Sequence, residues 1–165
     1  MMRSRLQSLL RVALVAAATC VLSLIRIPAP VPFTLQTFGV FFALLFLGAK
    51  QGSAATLLYL ALGLVGLPVF SGGTGASALV GPTGGYLVGL LLLCLVFLLF
   101  ENKNRHLCAL FGMALCYLCG ASWYAFVTST SLFFALWVGA VPFLLPDALK
   151  YLLAHLLCRR LKTAL

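Results

Sequence analysis

Acidic residues are nearly missing from this sequence. Glu101 and Asp147 are the only two in 165 residues, and charged residues of either sign make up 8%. A soluble domain carries roughly 25%. With 64% hydrophobic residues, a chain of this length cannot hide its apolar surface in a water-soluble core, so the bilayer is its solvent. The length also excludes a membrane domain joined to a catalytic soluble one, and we read 1–165 as a single domain. Motifs are missing too. There is no G-x-x-x-x-G-K-[ST], so the chain cannot by itself bind ATP in a P-loop. There is no H-E-x-x-H and no zinc-finger spacing. The two histidines, His106 and His155, fall near helix ends remote from Asp147 in the topology below, so no metal site is expected. "GGTGASA" (72–78) loosely fits G-x-G-x-x-A but lacks a strand–helix context. No nucleophile–base pair stands out, and no enzyme is expected.

What remains is an all-α membrane protein. Apolar segments fall at about 9–25, 35–49, 52–66, 84–100, 106–128 and 131–162. Their joints are "RIPAPVPFT", "GAKQG", "GLPVFSGGTGASALVGPTGG", "ENKNRH" and "TSTS". The segments are hydrophobic all round, as helices in a bilayer are. The second and third are short for a span of about 20 residues. Six transmembrane helices put both termini on one side, and the basic residues choose it. Arg3, Arg5, Arg11, Lys50, Lys103, Arg105, Arg159, Arg160 and Lys162 lie on one face, and the opposite loops hold Arg26. The positive-inside rule makes the basic face, with both termini, cytoplasmic. This placement, not nucleic-acid binding, accounts for the net charge of +9, because no basic helix is interleaved with aromatics. The first 24 residues also have the make-up of a signal peptide. Removing them would leave five spans and spoil the charge alternation, so we read them as helix 1.

The last segment is too long for one straight span and contains Pro142 and Pro146. One kinked helix would fit. So would a short outer piece followed by a helix from about 146 to 162, the reading we prefer, since proline suits the first helical position. Asp147 and Lys150 then share a face in its first turn, in the outer half, where the acid gains from the helix dipole. An ionisable group inside the membrane costs about 2.5–3.5 kcal/mol on insertion scales. Such a pair either neutralises itself structurally or faces a pocket for a small polar solute. "VFSGGTGASALVGPTGGYLVG" (69–89) favours the pocket. Irregular backbone at membrane depth is tolerated where it lines a cavity, and flexible surface loops would not explain Phe70, Leu79 and Val80. Gly81, Gly85 and Gly89 form a small-xxx-small row suited to packing within the chain, and Ala13 and Ala17 repeat the spacing in helix 1. The six cysteines lie in apolar surroundings. That includes "CYLC" at 116–119, and we read them as packing residues rather than redox centres.

"VPFTLQT", "GLPVF", "GPTGGYL" and "PFLLPDALK", in that order, resemble the BioY family: substrate-binding S components of energy-coupling-factor (ECF) vitamin transporters, specific for biotin. The stretch 90–140 adds little to the pattern. The resemblance implies a six-helix S-component bundle in the bacterial cytoplasmic membrane. It also implies biotin held near the outer face, within reach of Asp147 and Lys150. ATP would enter only through partners, two ATPase subunits joined by a transmembrane coupling subunit. Ala13 and Ala17 fit the family's A-x-x-x-A docking motif in helix 1. Biotin offers two ureido N–H donors, an apolar bicycle and chain, and a carboxylate. A carboxylate such as Asp147 can accept the donors, and an ammonium such as Lys150 offers charge-assisted bonds. Thr34, Gln36, Ser71, Thr83 and Tyr86 can supply the rest. Which end of biotin meets which residue stays open at this point, as does an S component for another vitamin or a small intramembrane enzyme.

Overall fold

The computed structural model describes residues 2–71, 73–100 and 104–164. The long helices are α1 (Met2–Leu24), α2 (Gln36–Leu47), α3 (Ala49–Leu64), α5 (Gly84–Phe100), α6 (Arg105–Thr128) and α8 (Leu144–Ala164). Shorter pieces sit at the joints: strands β1 (Arg26–Ile27) and β2 (Phe33–Thr34), helices α4 (Ala76–Val80) and α7 (Leu132–Gly139), and a 3-10 turn at Val141–Phe143. Arg5–Leu24, Arg105–Thr128 and the compound segment Leu132–Thr163 are long and apolar enough to cross a membrane, while Gln36–Leu47 and Gly84–Phe100 are apolar but shorter.

Lipid tails are as apolar as leucine, so helices in a bilayer associate through close packing rather than hydrophobic exclusion. The glycines provide it. A side chain at Gly89 would meet Cys116 of α6, and one at Gly85 would meet Trp123. In return Gly120 receives the ring of Tyr86, and Gly112 receives Leu93. The glycine row therefore packs within the chain, α5 against α6. Gly52 brings α3 onto the backbone of α2 at Ala43, and Gly39 brings α2 onto Thr19 of α1. Ala16 of α1 is buried with Ala43 and Ala55. Ala13 and Ala17 of the same helix are exposed.

Several joints differ from expectation. Helix α3 begins at Ala49, so Lys50 stands in its first turn and not in a loop; Gly48, at φ +83°, makes the whole corner. Helix α1 runs further toward the N-terminus than the apolar segment did. The first proline-rich joint is a short antiparallel pair, Arg26 opposite Thr34 and Ile27 opposite Phe33. The strands stop where Pro28, Pro30 and Pro32 begin, because proline cannot donate to a ladder. Of the three apolar residues in the glycine-rich loop, Phe70 is buried and Leu79 half-buried, but Val80 is exposed. The final segment breaks as preferred, yet α8 starts at Leu144 rather than Pro146. The first turn of a helix has no intrahelical partners for its N–H groups, so Pro146 fits inside it at no loss.

The ends of α2 and α8 meet where Lys162 Nζ donates to the Leu45 carbonyl, at 3.1 Å. The start of α6 joins them through His106 and His155, ring centroids 5.0 Å apart. Val12 of α1 packs in the same cluster as Leu47. Arg5, Arg11, Lys50, Arg105, Arg159, Arg160 and Lys162 thus belong to one end of the bundle. Lys103 lies outside the described residues, as does the side chain of Arg3. The opposite end carries Arg26 and the three irregular joints.

Candidate functional site

Those three joints close over the first turn of α8. Asp147 is 4% exposed and accepts three hydrogen bonds. Its Oδ1 takes one from Thr37 Oγ1 at 2.8 Å and one from Lys150 Nζ at 2.7 Å, and its Oδ2 takes one from Tyr117 Oη at 2.7 Å. Lys150 Nζ also donates to Thr37 Oγ1 at 3.1 Å. Three helices, α2, α6 and α8, are tied together by one carboxylate. The helix dipole favours an anion in the first turn. The ammonium beside it keeps the group neutral overall, which makes the burial tolerable.

Above the pair lies a pocket with about 620 Å³ of empty space, its mouth included. All seven candidates named from sequence line it: Thr34, Gln36, Ser71, Thr83, Tyr86, Asp147 and Lys150. Apolar surface comes from Val31, Phe70, Leu87, Leu90, Met113 and Phe143. The walls are fixed by their own bonds. Tyr86 Oη donates to the Gly139 carbonyl at 2.9 Å, joining α5 to the end of α7. Phe33 stacks on Phe143 with centroids 4.2 Å apart, joining the first loop to the 3-10 turn. Ser23 and Tyr59 both donate to the Val69 carbonyl, at 2.7 and 3.2 Å. Arg26 Nη1 holds the Ser71 carbonyl at 2.8 Å. Phe70, caught between those anchors, lays its ring on Gly63.

Two members of the network were not singled out from sequence. Thr37 ends the quoted "VPFTLQT" but was passed over for its neighbours Thr34 and Gln36. Tyr117 sits inside "CYLC", in the stretch without family signature. The available signal was a phenol in the middle of an apolar helix, since a buried tyrosine hydroxyl needs a partner. Cys116 beside it is buried, fills the space at Gly89 and also lines the pocket. All six cysteines are free thiols.

Fold and site together define a class: a multi-pass helical membrane protein with a charge-paired, partly apolar pocket under its loops at one end. The sequence matches the BioY family over residues 1–165, and the chain belongs to that family. It is 39% identical over 153 residues to the "Probable biotin transporter BioY" of Pyrococcus horikoshii, covering 92% of this chain and 93% of that one. It is 38% identical over 164 residues to the "Biotin transporter BioY" of Thermotoga maritima, covering 95% and 96%. The structure is similar to the 2.1 Å crystal structure of the S-component for biotin from an ECF-type ABC transporter. The TM-score is 0.87 at 30% identity, over 99% of this chain and 94% of that one.

Proposed function

We propose that this chain is the substrate-binding S component of an ECF-type transporter and binds biotin for uptake across the cytoplasmic membrane. The observation that carries the reading is the Asp147–Lys150–Thr37–Tyr117 network lining the pocket. A carboxylate offers about four acceptor sites and an ammonium three protons. Among the described residues, Asp147 uses three of its sites and Lys150 two of its protons. One acceptor and one donor are left, side by side. The acceptor suits a ureido N–H; the donor suits a ureido carbonyl or a carboxylate. The bicycle and valeryl chain match the apolar wall, and Thr34, Gln36, Ser71 and Thr83 surround the polar remainder.

The same reading gives six spans, made by α1, α2, α3, α5, α6 and the compound α7–α8. Both termini are cytoplasmic. The gathering of basic residues at one end of the bundle supports this under the positive-inside rule. The pocket then opens outward. The chain catalyses nothing itself. Two ATPase subunits drive transport through a coupling subunit, and Ala13 and Ala17 are its landing face; their exposure on α1 supports that role. The test is equilibrium binding of labelled biotin to the detergent-purified chain. Saturable binding competed by biotin, and not by thiamine or riboflavin, is expected. Absence of binding, or competition by either other vitamin, would overturn the assignment.

A further inference from the structure

A second hollow lies on the side of the bundle, between α6 and α8 with α2 behind. Its cavity volume is about 350 Å³, and it is almost wholly apolar. Its walls include Phe41, Leu110, Ala114, Leu144, Ala148 and Tyr151. The alanines leave a trough where larger side chains would close the surface. Its lower end is His106, whose Nδ1 lies 2.7 Å from Tyr151 Oη.

His106 also lines a third hollow, with a cavity volume of about 190 Å³, so the two share that residue as a wall. Here the chemistry is opposite. His155, Arg159 and Lys162 line it from α8, with His106 and Arg105 from α6. Positions 155, 159 and 162 recur at helical spacing, so they form one stripe facing the cleft. Among the described residues no carboxylate lines it. From Leu144 to Arg159 helix α8 rises roughly 22 Å. One leaflet with its headgroups is about half of a 40–45 Å bilayer. Trough and cleft together therefore span one leaflet, with the apolar part at mid-membrane depth and the cationic part at headgroup depth.

We propose that this is a built site for one anionic phospholipid. One acyl chain lies in the α6–α8 trough, and the phosphate sits among His155, Arg159 and Lys162. Charge complementarity selects the occupant. A zwitterionic lipid would fill the trough equally well but gain less at the cleft, whereas basic pockets between membrane helices suit anionic headgroups. Assigning the lipid to the cytoplasmic leaflet rests on the orientation proposed above; the binding itself does not. Asp147 and Tyr117 form the inner end of the trough. The lipid chain thus seals the bundle directly behind the carboxylate network.

The test is native mass spectrometry of the purified full chain, exchanged into equal amounts of phosphatidylglycerol and phosphatidylcholine with identical acyl chains. One retained lipid is expected, phosphatidylglycerol over phosphatidylcholine by roughly tenfold or more. The double variant R159Q/K162Q should lose that preference. A114F should lower retention of both lipids by filling the trough. Biotin binding within a few-fold of the parent shows in each case that the variant has folded. Equal retention of the two lipids by the parent would overturn the proposal. So would an unchanged preference in R159Q/K162Q, or displacement of the lipid by inorganic phosphate with A114F without effect. Loss of assembly with the coupling subunit in R159Q/K162Q, with lipid preference intact, would instead make the cleft a protein-docking face. Because the readout is lipid mass, its failure is separable from a failure of biotin binding.

Discussion

Helix α8 carries charge at both ends, and the two ends obey different rules. At its start Asp147 is buried and Lys150 half-buried; they neutralise each other and bind two other helices through Thr37 and Tyr117. At its end His155, Arg159 and Lys162 share a stripe with no carboxylate among the described residues beside them. A buried ion is stabilised by partners fixed in place and is costly to disturb singly. An exposed one is solvated or meets headgroups, and changing it costs little. The same helix is therefore fragile at one end and permissive at the other.

The largest effect is expected from breaking the buried pair on one side. Asp147→Leu leaves the Lys150 ammonium half-buried with Thr37 alone. Breaking a buried pair costs about 3–5 kcal/mol, so a large drop in detergent thermal stability together with loss of biotin binding is expected. Stability within error of the parent would mean that the pair is solvated and the two ends of α8 alike.

Milder cuts sharpen the contrast. Tyr117→Phe and Thr37→Val each remove one hydrogen bond to the carboxylate. Bonds to charged groups contribute about 1.5–3 kcal/mol, which predicts roughly tenfold or greater weakening of biotin binding if the network sets the site's geometry. Binding unchanged in both would confine the site to Asp147 and Lys150. Away from both ends, Ala13→Leu with Ala17→Leu should block co-purification with a coupling subunit and leave biotin affinity unchanged; retained assembly would remove the docking role from α1. The smallest effect belongs to the permissive end. Surface substitutions usually change stability by no more than about 0.5 kcal/mol, so R159Q/K162Q should shift the melting temperature little when lipid is absent. A large loss there would show that Lys162, through the Leu45 carbonyl, clamps α2 to α8 instead.

Much of the pocket end was legible because it breaks rules that apolar helices keep. A carboxylate three residues from an ammonium, prolines at 28, 30 and 32, and glycines at 72, 73 and 75 all need a reason at membrane depth. Those exceptions point to a pocket over Asp147 and Lys150; Thr34, Gln36, Ser71, Thr83 and Tyr86 follow only once the resemblance to the BioY family supplies a ligand. What stayed hidden needed partners distant in the chain. Tyr117 reaches Asp147 across 30 positions and Thr37 across 110, and no local pattern reports either. The start of α8 was misjudged by two residues because a proline in the first turn costs nothing wherever in that turn it stands. Lys50 looked like a loop residue because Gly48 and Gly52 bracket it. Gly48 is the corner; Gly52 is a packing contact with α2. Close approach and turning use the same residue, so sequence does not separate them. The lateral trough left no mark, since the alanines and leucines that open it resemble those of any lipid-facing surface and its aromatic walls come from three separate helices.

The central claim is that Asp147 and Lys150 serve a ligand and not the fold. The double change Asp147→Leu with Lys150→Met separates the two. Replacing a buried pair by apolar residues of similar volume is often neutral or stabilising, so the variant should fold and lose less stability than Asp147→Leu alone, the remaining cost being the hydroxyls of Thr37 and Tyr117 left without the carboxylate. With two partner groups gone, each worth about 1–3 kcal/mol, labelled-biotin affinity in detergent should fall by roughly a hundredfold or more. A folded double variant that binds biotin within a few-fold of the parent would contradict the account and make the pair a structural clasp.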